Sequence, residues 1–343
     1  MARGKRILEI DALRGIAVLL MVFSHGLHWS YTGTAHDIVS FFSHLSPGDL
    51  AAPLFFFTAG LSLYYSLTTL LGRRYTLTDL QKRYTKRLAK NFIVGVALSL
   101  TWGVLQAQAI TIFILLTSIL FLLQHFSFRQ MRIYILALIA LALGLHLFPF
   151  PNKCSILSGQ FPIFAILVFN GAGFYFAPNL CRPKAHYRSL VPGLVFIASA
   201  LCLGKAGFSL ARPDAPLAFI ILGIGLSLLL LGLLNFGVLK NTQIYSFICG
   251  VGRDALFLFV FHYLAFYLPL YLLGFGNKMG IHGALGFASI MVIAIIITAK
   301  MREHSTFSIY QLIDALFLIG AQYIGRLTDM PMRGDLQNQP LEE

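Results

Sequence analysis

The stretch that decides the fold is RILEIDALRGIAVLLMVFSHG, residues 6–26. A run of about 20 mostly apolar residues is long enough to cross roughly 30 Å of hydrocarbon as a helix. The run follows a basic leader, but its length and its internal Arg14 and His25 distinguish it from a cleaved signal peptide. Residues 6–26 therefore predict a permanent first membrane span.

The whole chain has the composition of a polytopic membrane protein. Of its 343 residues, 57% are hydrophobic and only 11% are charged, whereas soluble domains carry roughly 25% charge. The mean hydropathy is +0.77. This composition excludes a disordered chain, a coiled coil, a collagen-like fibre and a disulfide-stapled secreted module.

Ten hydrophobic runs are long enough to span a membrane, so the predicted fold is all-α with 10–11 transmembrane helices. The runs are 9–29, 50–71, 89–107, 109–124, 131–149, 160–178, 189–206, 215–236, 255–273 and 284–299. An eleventh, amphipathic segment at 307–325 either lies in the membrane interface or completes the bundle. We expect one transmembrane domain over residues 1–327 and a polar C-terminal tail over residues 328–343.

The net charge of +13 is explained by sidedness. Lys and Arg outnumber Asp and Glu by 26 to 13. If the N-terminus is cytoplasmic, successive loops alternate between basic and non-basic, and 20 of the 26 basic residues lie on the cytoplasmic side. This is the pattern of the positive-inside rule. The sequence therefore predicts a cytoplasmic N-terminus and gives no reason to expect a nucleic-acid partner.

The first span carries a stripe of ionisable residues. At about 100° per residue, Asp11, Arg14 and His25 fall on one helix face, with Arg14 and His25 about 16 Å apart along the axis. Ionisable residues inside a span are costly and indicate a functional site. Arg14 suits a phosphate at the cytoplasmic mouth, and His25 suits a base deeper in the membrane. The structural alternative is an anchoring arginine and a histidine that hydrogen-bonds a neighbouring helix.

The first outer loop, residues 28–49, carries histidines and aspartates but no Lys or Arg. His36, His44 and Asp49 are its candidates for proton transfer or for binding an acceptor. The histidine spacings match no zinc signature, so we expect no metal. Solvated loop residues without a chemical role are the alternative.

Two further segments are rich in polar residues. Residues 72–92 contain seven cations, and Arg83 and Arg87 share a helix face that suits the phosphates of coenzyme A or of anionic lipids. An ordinary positive-inside loop explains the same count. Later in the chain, Arg253 begins the ninth span and His262 follows about two turns inside it. His262 is either a hydrogen-bonded core residue or part of a site.

These motifs resemble those of the heparan-alpha-glucosaminide N-acetyltransferase catalytic domain family, and in particular its bacterial members. The residues of the opening motif that match are Arg6, Glu9, Asp11, Leu13, Arg14, Gly15, Met21 and His25. The run from Asp49 to Pro53, followed by aromatic residues, is similar to the start of the family's second helix. A late element of the family is matched by Gly252, Arg253, Leu256 and His262.

The resemblance implies transfer of an acyl group, usually acetyl, from cytoplasmic acyl-CoA to an acceptor reached from the other membrane face. Acetyl-CoA or another acyl-CoA is then the cosubstrate, and a hydroxyl or amine of a glycan, amino sugar or glycolipid is the acceptor. In the animal enzyme the catalytic histidine lies in the first non-cytoplasmic loop. His36 and His44 fit that position, whereas His25 matches a histidine typical of bacterial relatives. The glycosaminoglycan substrate of the animal enzyme is not carried over.

We therefore predict an integral-membrane acyltransferase of the bacterial cytoplasmic (inner) membrane, with acyl-CoA, the acceptor and membrane lipids as partners. The predicted catalytic residues are His25 as the first choice of general base, His44 and His36 as the next choices, and Asp49 or Asp11 to orient an imidazole. The predicted acyl-CoA-binding residues are Arg14, Arg83, Arg87, Arg253 and His262, the last two of which either line the acyl-CoA path or stabilise an oxyanion.

Two other functions are compatible with the same residues. A proton-coupled transporter or a lipid or glycan translocator would use the polar stripe to relay protons or carry a head group. A non-catalytic membrane scaffold would use the histidines only structurally. The oligomeric state is also open, with a homodimer as one alternative.

Overall fold

The computed structural model describes residues 6–33, 46–98, 103–126, 128–148, 162–180, 184–210, 215–236 and 240–302. These residues are almost entirely helical, which confirms the predicted all-α class. The β-pairing found among them is one isolated bridge, between Tyr31 and Met279. The predicted interfacial segment 307–325 and the tail lie outside the described residues, so both stay predictions.

Twelve α-helices follow one another along the described chain. They are α1 (Leu8–Ser30), α2 (Ala51–Gly72), α3 (Leu77–Leu98), α4 (Val104–Leu123), α5 (Phe128–Leu147), α6 (Ile163–Phe176), α7 (Ala185–Lys205), α8 (Leu217–Leu234), α9 (Gln243–Arg253), α10 (Ala255–His262), α11 (Leu268–Leu272) and α12 (Ile281–Met301). Short 3₁₀ turns precede α2 (Pro47–Leu50) and follow α6 (Ala177–Asn179), and a π-helical turn (Tyr263–Tyr267) joins α10 to α11.

Eight of the described helical segments are long and apolar enough to cross a membrane. They are α1, α2 with its 3₁₀ turn, α4, α5, α7, α8, the continuous α10–α11 segment and α12. The predicted run 160–178 corresponds to a shorter apolar segment, Ile163–Asn179. A multi-pass membrane protein is therefore confirmed, although eight long apolar helices in the described residues are fewer than the ten predicted.

The predicted boundaries of the third span, 89–107, are wrong. In the structure α3 ends at Leu98 and α4 begins at Val104. The hydrophobic run joined the apolar end of α3 to the start of α4 and so concealed the break between them. The first half of α3 is strongly basic, because Lys and Arg recur there every three or four residues. For this reason α3 does not qualify as a uniformly apolar span.

Helix α1 lies at the centre of the bundle. It packs against α2, α9 and α12, and it also contacts α8 and α10. Glu9 and Asp11 occupy its first turn, where the positive end of the helix dipole stabilises carboxylates. Apolar side chains such as Leu13 and Val18 have no solvent exposure. The ionisable stripe of α1 is therefore surrounded by neighbouring helices rather than by lipid.

Two glycines bring α9 unusually close to α1. A Cβ on Gly15 would lie 2.1 Å from the carbonyl oxygen of Ile248, and a Cβ on Gly252 would lie 1.8 Å from that of Asp11. Only glycine allows backbones to approach in this way, as is common between membrane helices. The contact fixes the end of α9, and therefore Arg253, beside the first turn of α1.

The α10–α11 segment runs beside α1 in the same direction. Gly252 touches Asp11 near the start of α1, and His262 reaches His25 near its end. Helix α9 crosses α1, whereas α10 runs along it, so the chain changes direction at Asp254, between the two helices. As a result, α1 and α10 begin together and carry their polar residues in the same order.

The outer faces of the peripheral helices are apolar. Ile133 on α5, Val191 on α7 and Ile290 on α12 are 68%, 57% and 60% exposed. Soluble monomers rarely expose large apolar patches, but lipid-facing surfaces consist of them. These faces fit a bilayer, so the buried polar residues around α1 are the candidates for a functional site.

Candidate active site

A pair of histidines joins α1 to α10. His25 Nδ1 and His262 Nε2 are 2.9 Å apart, which is a hydrogen-bond distance. The two rings are inclined by only 19°, with centroids 5.2 Å apart. His262 is completely buried, whereas His25 is half-buried. We call these two residues the histidine pair.

Aromatic side chains surround the histidine pair. The Trp29 ring stacks on His25 at 4.9 Å and on His262 at 5.4 Å between centroids. Tyr263 approaches the edge of His25 at 5.8 Å, and Tyr267 lies 4.9 Å from Trp29. Such contacts hold the imidazole rings in fixed orientations.

The same aromatic group extends away from the histidine pair along the π-helical turn. Tyr263 and Tyr267 have ring centroids 5.7 Å apart, and Tyr267 and Tyr271 are 4.5 Å apart. Tyr271 is 46% exposed. Trp29, Tyr263, Tyr267 and Tyr271 therefore form an aromatic ladder from the buried histidine pair to the surface. π-Helical turns of this kind occur frequently at functional sites.

A cluster of arginines and aspartates lies at the other end of α1. Asp11 accepts from Arg6 Nε at 2.9 Å and from Arg14 Nη1 at 3.4 Å. Arg14 Nη2 also donates to Ser62 Oγ on α2 at 2.6 Å. Arg14 Nη1 also donates to the carbonyl oxygen of Gly252 on α9 at 3.4 Å, so three helices hold Arg14 while its side chain remains 23% exposed. A planar guanidinium held in this way suits the binding of a phosphate.

Helix α10 contributes a second part of this cluster. Asp254 lies 3.8 Å from Arg253 Nε and 3.5 Å from Arg302 Nη2, which comes from the end of α12. The Arg302 guanidinium carbon also lies 3.8 Å from the centroid of the Phe257 ring. Arg253 acts electrostatically on Asp11 as well. We call Arg6, Asp11, Arg14, Arg253, Asp254 and Arg302 the arginine site; its four cations exceed its two carboxylates.

The arginine site and the histidine pair lie at opposite ends of the same two helices. Eleven residues separate Arg14 from His25 on α1, which corresponds to about 16 Å. Nine residues separate Arg253 from His262, which corresponds to about 14 Å. Because α10 runs parallel to α1, the two clusters lie at opposite ends of the contact between these helices.

A buried thiol lies beneath the arginine site. Cys249 on α9 donates to the carbonyl oxygen of Leu8 at 3.4 Å. Burial raises the pKa of the Cys249 thiol to about 11. The thiol is therefore protonated at neutral pH, and this cysteine does not have the character of a nucleophile.

The structure brings five of the predicted site residues into these two clusters. Asp11, Arg14 and Arg253 meet in the arginine site, and His25 and His262 form the histidine pair. The predicted site residues Asp49, Arg83 and Arg87 lie outside both clusters.

Asp49 lies in the 3₁₀ turn that precedes α2. Its carboxylate accepts from the backbone nitrogen of Ser46 at 2.9 Å and from Ser46 Oγ at 2.8 Å, which is a capping-box arrangement. Gly48 packs against Ser24, because a Cβ there would lie 2.0 Å from Ser24 Oγ. Asp49 therefore stabilises the 3₁₀ turn that packs against Ser24 of α1.

Arg83 and Arg87 lie on α3 and are exposed. The Arg83 guanidinium carbon lies 6.0 Å from the centroid of the Tyr75 ring, in the turn that precedes α3. Helix α3 packs mainly against α4, so these cations belong to a surface separate from the arginine site. His36 and His44 lie outside the described residues. Within the described ranges no group of three or more His, Cys, Asp or Glu side chains is arranged to hold a metal.

Sequence reasoning missed the whole aromatic ladder, and it also missed Ser62 and Arg302. Trp29 could have been found, because it follows His25 by four residues and therefore shares its helix face. Ser62 and Arg302 gave no sequence signal, since their roles depend on contacts with α1 and α10.

This geometry defines a multi-pass helical membrane protein in which two parallel helices connect an arginine-rich site to a histidine pair. A family model described as heparan-alpha-glucosaminide N-acetyltransferase, catalytic, matches residues 6–206, which is more than half of the chain. The chain therefore belongs to this family of membrane acetyltransferases, as its motifs predicted. No curated protein matches the sequence.

Proposed function

We propose that the protein is an acyltransferase that moves an acyl group, most simply acetyl, from cytoplasmic acyl-CoA to a glycan, amino sugar or glycolipid at the opposite membrane face. The observation that carries the proposal is the placement of the arginine site and the histidine pair at the two ends of α1 and α10. Membership in an acetyltransferase family supports the reaction class. The proposed location is the cytoplasmic (inner) membrane of a bacterium, with the N-terminus in the cytoplasm.

The arginine site is the proposed binding place for the phosphates of acyl-CoA. Arg14 and Arg253 lie at the end of the spans that the basic loops predict to be cytoplasmic. The pantetheine arm of coenzyme A has about the length of four extended residues, roughly 14 Å. That length is comparable to the separation of the two clusters, so a thioester carried by bound coenzyme A can reach His25. In this proposal Arg83 and Arg87, which lie exposed on α3, form a separate cationic surface.

His25 is the proposed general base. It takes the proton from the acceptor hydroxyl or amine as the oxygen or nitrogen attacks the thioester carbonyl. When the tetrahedral intermediate collapses, the carbon–sulfur bond breaks and His25 returns the proton to the departing thiolate of coenzyme A. The products are an acyl ester or amide and free coenzyme A. A histidine suits both steps because its ring takes and returns a proton near neutral pH.

The aromatic ladder is the proposed contact surface for the acceptor. Flat aromatic rings stack on apolar faces, and tyrosine hydroxyls provide hydrogen bonds to polar groups at the ring edge. A sugar ring offers both kinds of surface. Tyr271 is exposed and Tyr263 lies beside His25, so the ladder leads an acceptor from the surface to the base.

The test of the reaction uses the purified protein in detergent with labelled acetyl-CoA and a panel of amino sugars, hexoses and glycolipids. His25→Ala should lower kcat by about 10²–10⁴-fold, the usual contribution of a general base. His28→Ala is the matched control, because His28 is exposed three residues further along the same helix. Full activity of His25→Ala would eliminate His25 as the base and direct attention to His36 and His44. Solute counterflow in liposomes without thioester turnover would instead support a transporter.

Donor binding has a separate test. Arg14→Gln removes a charge-assisted hydrogen bond of about 1.5–3 kcal/mol and should raise KM for acetyl-CoA by about 10–100-fold. Arg188→Gln on α7 is the control, since Arg188 is exposed and far along the chain from the arginine site. An unchanged KM in Arg14→Gln, with normal thermal stability, would contradict phosphate binding at this position.

A further inference from the structure

Both ring nitrogens of His262 are engaged within the protein. Its Nδ1 lies 3.2 Å from the carbonyl oxygen of Leu258, one helical turn earlier, and its Nε2 lies 2.9 Å from His25 Nδ1. The side chain has no solvent exposure. A ligand therefore has no access to either nitrogen, and His262 does not suit the role of binding acyl-CoA.

The hydrogen bond to Leu258 decides the tautomer of His262. A backbone carbonyl oxygen can only accept, so Nδ1 of His262 must carry the hydrogen. In a neutral imidazole the other nitrogen is then an acceptor, which makes Nε2 the acceptor for His25. A neutral ring is the form that complete burial among aromatic side chains favours. The side chains that face it are His25 and Trp29 from α1 and Phe259 and Tyr263 from its own segment.

The tautomer of His25 follows from that of His262. Because His262 Nε2 accepts, His25 Nδ1 must donate, and the unprotonated nitrogen of His25 is then Nε2. We propose that His262 is a positioning residue that holds the proton of His25 on Nδ1 and thereby makes His25 Nε2 the base. This inference rests on the proposed function, in which His25 removes a proton from the acceptor. It is the role that a carboxylate or backbone carbonyl plays for histidines at other sites.

The surrounding rings strengthen this arrangement. Trp29 stacks on His25 with an interplanar angle of 28°, and Tyr263 meets its edge at 73°. A 180° flip of the His25 ring would put Cδ2 in the place of Nδ1 and break the hydrogen bond to His262, and it would have to displace both neighbouring rings. His262 Nε2 therefore determines which nitrogen of His25 carries the hydrogen, while the aromatic rings hold the His25 ring in its orientation.

Two substitutions separate the acceptor from the bulk of the ring. His262→Phe keeps a buried ring but removes the acceptor, whereas in His262→Gln the amide reaches the position of Nε2 and its oxygen can accept from His25. We expect His262→Phe to lower kcat by about 10–100-fold, with KM for acetyl-CoA within about twofold of wild type. His262→Gln should recover a large part of kcat.

The control is His146→Phe, which replaces another buried histidine that hydrogen-bonds a backbone carbonyl, that of Ala215. It should lower the melting temperature without changing kcat or its pH profile, because His146 lies outside both clusters. If His262→Phe does not fold, as judged by its elution volume and melting temperature, His262→Leu provides the second variant without an acceptor.

The tautomer itself is read by ¹⁵N NMR of protein labelled in its histidine rings. The His25 signals are those lost in His25→Ala, and they should report hydrogen on Nδ1 in wild type and in His262→Gln. In His262→Phe they should lose that preference. Unchanged His25 signals and unchanged kcat in His262→Phe would overturn the inference. If wild type transfers no acyl group but its NMR signals behave as expected, the proposed function fails while the role of His262 in setting the tautomer stands.

Discussion

Replacing Gly252 by alanine tests whether the close approach of α9 to α1 positions the arginine site. The new Cβ would lie 1.8 Å from the carbonyl oxygen of Asp11, whereas ordinary contact begins at 3.4 Å. The obstructing atom belongs to the backbone and cannot change rotamer. The two helices must therefore separate by roughly 1.5 Å, which moves Arg253 away from Asp11.

Gly250 provides a matched control on the same helix. A Cβ at this position meets nothing within 4 Å, so Gly250→Ala brings only the gain in helix propensity, up to about 1 kcal/mol. Gly252→Ala brings the same gain but also an overpacking cost of about 1–3 kcal/mol. The two variants should therefore differ in stability by about 1–3 kcal/mol. For a chain of this size, that difference corresponds to melting temperatures about 1–4 °C apart.

The assay is thermal unfolding of both variants in detergent, followed by measurement of KM for acetyl-CoA. We expect the Gly252→Ala protein to melt lower than Gly250→Ala and to have the higher KM, because only its arginine site is displaced. Equal melting temperatures would refute the packing argument. A lower melting temperature with an unchanged KM would show that the glycine contact has no bearing on donor binding.

Three other substitutions test separate surfaces of the protein. Tyr271→Ala should raise KM for the acceptor by about 3–10-fold through loss of ring stacking, with KM for acetyl-CoA unchanged; exposed Leu272→Ala is the control, and equal effects of the two would count against the aromatic ladder. The double substitution Arg83→Gln and Arg87→Gln should leave KM for acetyl-CoA unchanged. It should reduce the rise in melting temperature that added phosphatidylglycerol causes. A raised KM would show that these residues bind the donor. Burial raises the pKa of Cys249 from 9.0 to about 11, so the buried thiol contributes fully to stability below pH 9 and this contribution is lost as the pH rises through 11. Cys249→Ala should therefore lose less stability than wild type between pH 9 and pH 11. An identical loss in the two proteins would contradict the burial of the thiol.

The sequence predicted the parts of the site that depend on one helix. Asp11, Arg14 and His25 share a face of α1 because helical periodicity alone places them there. The capping role of Asp49 was also readable, since Ser46 precedes it by the three residues of a capping box. In a histidine-rich loop the same carboxylate also suits a partner for an imidazole, and the contacts with Ser46 distinguish the two roles.

The parts that depend on tertiary packing were not predictable. His25 and His262 are 237 residues apart, and their contact requires α9 to cross α1 and the chain to turn at Asp254. That crossing depends on Gly15 and Gly252, whose importance appears only when the two backbones are seen together. The third span was misplaced for a different reason, because average hydropathy does not register a break between two helices whose adjoining ends are both apolar.

The π-helical turn Tyr263–Tyr267 determines where this protein tolerates a change in length. It begins directly after His262, so the segment from Ala255 to His262 keeps strict α-helical register and acts as a spacer of fixed length. Deleting one residue inside that spacer would rotate His262 by about 100° relative to Arg253. Deleting one residue from the π-helical turn would convert it to ordinary α-helix and leave the spacer intact. An evolving or engineered variant can therefore reshape the aromatic ladder by insertion or deletion without altering the distance between Arg253 and His262.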